Sequence, residues 1–466
     1  MKPNGTKKRA LALAGGGPAA GLHIGALQAF EEAGIQFDVF ALSCVGAWVG
    51  IVYNTRPERD AQGRGRAAQT YEFFERYCFR DDDSYAWFPM NRGFAPDFIA
   101  FWSALASFPF SRDNDWSKLV PSSTEAWASM FRWLAPWAEG RFPTQQEINA
   151  GILNDWLAVN PATRYFTSLA FKSQINGLAR IYYQDSHVLE EAFQGDRLAH
   201  VEPDIYHNAW RMPRGEEPGR MQIFHNRPDP AKPGHGEYLK ITKQSLCACS
   251  ALPFIEESLK LEDGYEYTEG ALVDTVNFAN LLRDHSDLDE VWVSRIVDDS
   301  QVQPARSLAD SLANLPMQFA AEVGEDDIKL FRQHLLNQSF MRPRVVEIPL
   351  KPRTQVCFHW SHANLKQGRD EGYEAVRRLL AFDPQLASNV AAPQRATASA
   401  SVATLAAAAT TRAKARAKAT AAKAQPASAG PKPITTRPSP VPAARAQPSP
   451  APRGRSRTTR PRAAPR

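Results

Sequence analysis

Three short segments of this 466-residue chain carry residues able to do chemistry. The first is Gly15-Gly16-Gly17-Pro18-Ala19-Ala20-Gly21. Glycines between a strand and a helix start let successive backbone N–H groups point inward, beside the positive end of the helix dipole. Such a loop holds a phosphate or stabilises an oxyanion. It lacks the Lys-Ser/Thr ending of a nucleotide loop and the spacing of a dinucleotide fingerprint, which favours the oxyanion. Taken alone it is equally a tight turn that uses glycines for steric reasons. The second segment is Leu42-Ser43-Cys44-Val45-Gly46. A sharp strand-to-helix turn lifts one side chain above a sheet, and Cys44 stands at the vertex with Gly46 two residues on. The helix N-terminus beneath it should lower the thiol pKa. The bland alternative is a small buried cysteine that merely packs. The third is Thr268-Glu269-Gly270-Ala271, where a carboxylate leaves a strand among small residues and can take a proton from a nucleophile. Alone it is also a surface turn.

The elements that must position these residues follow from the pattern. Arg9 to Ala14 reads as a buried strand, and His23 to Ala33 as an amphipathic helix ended by Gly34. Phe37 to Leu42 reads as the next strand and Gly46 to Tyr53 as a helix. This alternation predicts a doubly wound α/β fold. Further strands are expected at Tyr165 to Phe171, at Ala179 to Tyr183 and at Glu290 to Ile296. A hairpin is expected over Leu259 to Tyr267, turning at Asp263-Gly264, and a closing helix over His362 to Leu380.

Composition divides the chain. Residues 1–383 hold 40 basic and 50 acidic side chains, whereas residues 384–466 hold 15 basic and no acidic ones. Residues 385–466 are mostly Ala, Pro, Ser, Thr, Lys and Arg with no aromatic residue, a composition too poor in large apolar side chains to offset its ordering entropy. They read as a disordered basic tail, either a plain solvated segment or a weak, salt-sensitive contact for a polyanion such as nucleic acid or anionic lipid. Residues 1–384 are long enough to bury a large core. Within them, residues 56–143 break the α/β alternation. Thirteen Trp and Phe fall between Trp87 and Trp137, including six of the eleven tryptophans. They form either an aromatic core of a helical insertion or a lid that covers an apolar site or touches lipid. Five cysteines make no disulfide framework and point to a reducing, cytoplasmic compartment. Cys247 and Cys249 lack zinc-site spacing. No apolar run is long enough to span a bilayer, and the basic Lys7-Lys8-Arg9 start is followed by a glycine loop rather than a signal-peptide core.

In this order the three segments resemble the patatin-like acyl hydrolases. Leu11 to Ile35 is similar to that family's glycine-rich strand-loop-helix, Phe37 to Gly50 to its nucleophile elbow, Cys249 to Arg283 to the segment with its catalytic acid, and His362 to Leu380 to its last helix. The resemblance implies a three-layer fold around a mostly parallel sheet. It also implies hydrolysis of lipid esters by a Ser-Asp dyad without histidine, metal or cofactor. Carried over by position, Cys44 is the nucleophile, Glu269 the acid-base residue, and the loop of Gly15, Gly16 and Gly17 the oxyanion site, with the amides of Gly16 and Gly17 as donors. The implied partner is a lipid or other apolar acyl ester, met in peripheral contact with a membrane or lipid surface.

Several positions depart from that family. Cys44 and Glu269 replace Ser and Asp, Leu42 replaces a glycine, Ala19 replaces an arginine, and Pro18 has no N–H to donate. A thiol is intrinsically more nucleophilic than a hydroxyl, but a nearby carboxylate raises its pKa. His23 is the nearest histidine in sequence and is expected to pack rather than to act. Two functions follow: an acyl hydrolase with a cysteine nucleophile, or a catalytically silent fold that binds lipid, a hydrophobic polymer surface or a protein partner.

Overall fold

The computed structural model describes residues 6–389 apart from 88–90, 113, 115, 120–121, 153–159, 174–176, 182–186, 232–234, 298–301, 303, 306–307, 338–342 and 351–358. The first residues of the expected disordered tail are ordered, with a 3-10 turn over Pro384–Ala387 and Leu386 buried, while residues 390–466 and Cys357 lie outside the described residues.

The strands are β1 (Arg9–Leu13), β2 (Val39–Leu42), β3 (Phe94–Pro96), β4 (Gly177–Ile181), β5 (Asp204–Arg211), β6 (Arg220–His225), β7 (Leu239–Lys240), β8 (Phe254–Glu256), β9 (Leu259–Lys260), β10 (Glu266–Glu269), β11 (Glu290–Ser294) and β12 (Arg344–Glu347). The central sheet runs β12-β11-β1-β2-β5-β10-β9, with β6 and β7 joined through β5. β12, β11, β1, β2 and β5 are parallel, and an antiparallel margin of β6, β10 and β9 completes the sheet. Each residue of β1, β2 and β11 is buried, as parallel strands covered on both faces require.

One edge of β5 sets the geometry that matters. β6 pairs with Tyr206–Arg211 along one side. A strand has only two sides, so β2 and β10 must share the other. β2 pairs with Asp204–His207 and β10 with Ala209–Arg211, running toward each other. Their facing ends are Leu42, opposite His207, and Glu269, opposite Ala209. Asn208 lies between them.

The first helix, α1 (Ala20–Glu32), begins three residues before the expected His23, because a short 3-10 turn over Gly17–Ala19 leads into it. α2 (Val45–Thr55) follows the elbow, and α3 (Arg66–Tyr77) packs Phe73 and Phe74 into the core. The closing helix, His362–Phe382, meets α1 with almost no space between backbones. A Cβ at Gly25 would lie 1.9 Å from the Arg369 carbonyl oxygen, and one at Gly372 would lie 2.1 Å from that of Leu22. Past it, Leu386 is buried, and the Arg9 guanidinium bonds the carbonyls of Leu386 and Ser388 and Oδ1 of Asn389.

Two expectations change. Tyr165 to Phe171 is not a strand but part of a helix, Pro161–Lys172. Asn160 caps it by accepting from the N–H groups of Ala162 and Thr163, and Pro161 is preset for the first turn. The aromatic segment does not close an aromatic core of its own. Sixteen of the twenty-three exposed large apolar side chains among the described residues fall in residues 87–166, and the helix Phe98–Ser107 has no buried residue.

Candidate active site

Cys44 links β2 to α2 with φ 50° and ψ −126°, a conformation that L side chains rarely adopt. Such backbone strain costs on the order of 1–3 kcal/mol and persists where surroundings dictate it. Here α2 is pressed against β1. A Cβ at Gly46 would lie 2.2 Å from the Leu13 carbonyl oxygen, so the first turn of α2 can sit there only with glycine. The N–H of Ser43 bonds that same carbonyl at 3.1 Å. Leu42, where the resembled family has glycine, is fully buried. Its side chain occupies space left open on α2, since a Cβ at Gly50 would lie 2.5 Å from it.

The Cys44 thiol and the Glu269 carboxylate lie close enough to act on each other's titration. Both residues are nearly covered, at 9% and 6% exposure. The expectation that the helix N-terminus would lower the thiol pKa is overturned. Burial, then the Glu269 charge, pushes Cys44 well above its ordinary value, and the Val45 N–H opposes this only in part. Burial raises Glu269 to about 7, and the nearby Cys44 thiol opposes this. At neutral pH the pair is therefore a thiol facing a carboxylate that is close to half titrated.

Two groups that the sequence did not single out lie behind the pair. Cys249 donates its thiol to the Leu246 carbonyl at 3.2 Å and to that of Cys44 at 3.7 Å. Glu256, on β8, is fully buried with neither carboxyl oxygen hydrogen-bonded among the described residues. Burial, then the Glu269 charge, raises its pKa well above the carboxylate range. Neither carries a motif: Cys249 caps the helix Lys243–Ala248 and Glu256 lies on β8, and tertiary packing brings both to the site.

The glycine loop passes next to Cys44: a Cβ at Gly15 would lie 3.2 Å from that of Cys44 and 3.0 Å from that of Ala271. Its carbonyls are engaged by internal donors. His23 Nε2 donates to the Ala14 carbonyl at 2.9 Å, the Ala19 N–H to that of Gly16 at 3.2 Å, and Asn364 Nδ2 to that of Pro18 at 3.2 Å. His23 also accepts from Ser294 Oγ at 2.8 Å, and burial lowers its pKa to about 4. It is a neutral clamp on the loop, in keeping with its expected packing role. Among the described residues, no carbonyl or side chain accepts from the N–H of Gly15, Gly16 or Gly17.

Ser43 faces away from the thiol. Its hydroxyl lies 2.8 Å from Asn208 Oδ1 and 3.2 Å from the Asp274 carbonyl. Behind the acid loop, Asp327 of the helix Leu308–Asn337 accepts from the Thr275 N–H at 2.9 Å. Burial, then the Asp274 charge, raises Asp327 to about 7, and burial raises Asp274 to about 6.

A family model described as patatin-like phospholipase matches residues 11–282, more than half of the chain. No curated protein matches it. Among solved structures, the crystal structure of VipD from Legionella pneumophila aligns at 10% identity and a TM-score of 0.30, covering 81% of this chain and 67% of that one.

Proposed function

The chain belongs to the patatin-like phospholipase family, whose members act on lipids, and on that premise we propose that it cleaves ester bonds of a lipid-like substrate with Cys44 as nucleophile and Glu269 as acid-base group. The observation that carries this reading is the juxtaposition of a thiol held at a strained turn and a buried carboxylate raised to about 7.

The reaction runs as general-base catalysis rather than through a preformed thiolate. Cys44 Sγ attacks the acyl carbon while its proton passes to the Glu269 carboxylate. The amides of Gly16 and Gly17, whose loop carbonyls are taken up elsewhere, stabilise the oxygen that gains charge. The carbon–oxygen bond to the alcohol breaks as Glu269 returns the proton to it, leaving a thioester. Water then attacks the thioester and gives its proton to Glu269. The carbon–sulfur bond breaks, Cys44 is reprotonated by Glu269, and the free acid leaves. The exposed aromatic surface of residues 87–166 serves as the contact for the apolar phase that holds the substrate.

Release of p-nitrophenol from short-chain esters tests this. The wild type should turn over and Cys44→Ala should lose at least about a hundredfold in kcat/KM. Equal rates would leave the alternative, a silent fold that binds lipid, a hydrophobic polymer surface or a protein partner. Binding to a lipid emulsion that survives Cys44→Ala, with no turnover in either protein, would identify that alternative.

A further inference from the structure

We propose that Asn208 is a positioning residue that fixes the separation between Cys44 and Glu269. Its carboxamide is fully buried at the one point on β5 where the facing ends of β2 and β10 meet. Oδ1 accepts from Ser43, the residue before the thiol, at 2.8 Å, and Nδ2 donates to the Asp274 carbonyl, in the loop that follows Glu269, at 2.7 Å. One planar group thus spans the elbow and the acid loop. Gly270, the residue after Glu269, is part of the same fit, since a Cβ there would lie 2.9 Å from Asn208 Oδ1. The loop can cross the carboxamide closely only without a side chain.

The bridge matters because no ladder hydrogen bond joins β2 to β10. The two strands hold to β5 separately, and their ends would otherwise be set only by packing. A buried amide must keep its partners or leave them unsatisfied, so the bridge resists slippage of either end. Small displacements of a reacting pair are costly, with a misplacement of about 1 Å costing on the order of a hundredfold in rate.

This inference rests on the assignment of Cys44 and Glu269 as a coupled pair, but its test need not rely on turnover. The probe is alkylation of Cys44 by iodoacetamide, followed by peptide mass across the neutral pH range, in the full-length protein. In the wild type the rate should show an inflection at about pH 7, where Glu269 titrates, and Glu269→Gln should remove it. Asn208→Leu, which keeps volume and removes both bonds, should also abolish the inflection, and should lower ester kcat by at least about tenfold with KM unchanged. An inflection that persists in folded Asn208→Leu overturns the proposal. Should that variant fail to fold, Ser43→Ala carries the test: a displaced inflection supports the bridge, and an unchanged one overturns it. Loss of the inflection in Asn208→Leu, in a protein whose wild type cleaves no ester, keeps the bridge and removes the hydrolase. A wild-type profile indistinguishable from that of Glu269→Gln overturns the pairing and the bridge together.

Discussion

A sulfur nucleophile beside a carboxylate works against the usual logic of cysteine enzymes, in which a cation stabilises the thiolate. Burial and Glu269 hold the proton on Cys44, so in the mechanism proposed above the pair would act as a hydroxyl-carboxylate dyad does. Cys44→Ser should therefore retain ester hydrolysis within about a hundredfold of the wild type, far above Cys44→Ala, as read by p-nitrophenyl ester release. Glu269 accepts a proton only when ionised, so kcat/KM should rise with pH through about 7. Stability has the opposite slope. A carboxyl raised above its ordinary value of 4.5 by burial binds its proton more tightly in the folded chain than in the unfolded one. Its contribution is full below the unfolded value and is lost as pH rises through about 7, to the order of 3 kcal/mol. Glu269→Gln should flatten that loss, giving a higher Tm than the wild type at pH 8 and little difference at pH 5, as read by thermal melts at the two pH values.

Leu42 shows how an element absorbs a residue that the family pattern would exclude. Its side chain fills the space beside Gly50, so the strand end and the helix are matched to each other. Gly50→Ala should overpack this contact and cost roughly 1–3 kcal/mol in urea unfolding. In a Leu42→Ala background the same substitution should cost much less, and the difference between the two backgrounds is the coupling energy. Additive effects would deny the match. The same scale explains what could be read from sequence. The glycine loop, the elbow and the carboxylate strand are local patterns, each within a dozen residues, and the structure brings Gly15, Cys44 and Glu269 together. Asn208 owes its place to which edge of β5 the strands β2 and β10 join, while Cys249 caps a helix and Glu256 sits on a strand of a second sheet, and no local pattern encodes these long-range placements. The Tyr165 segment misled because its apolar run fits either period, and the decisive signal was the Asn160-Pro161 start.

At the scale of the whole molecule, two segments of different composition could meet an apolar phase. Residues 87–166 hold six basic and seven acidic side chains, so the aromatic surface is close to neutral, while residues 384–466 carry fifteen basic side chains and no acidic one. Among the described residues no helix is long and apolar enough to cross a membrane. A neutral apolar surface gains from burial and is indifferent to salt, whereas attraction between a basic segment and anionic lipid is screened beyond about 8 Å at physiological ionic strength. Flotation with a neutral triacylglycerol emulsion should therefore capture the protein equally at low and high salt, and replacing Phe98, Ile99 and Trp102 by serine should release most of it. Each of these side chains is more than half exposed, so the fold should survive the change. Truncation after Asn389 should leave emulsion binding intact and weaken only the salt-sensitive part of binding to anionic vesicles. Emulsion binding that needs the tail, or that survives loss of the three apolar side chains, would move the contact from the aromatic surface to the basic segment.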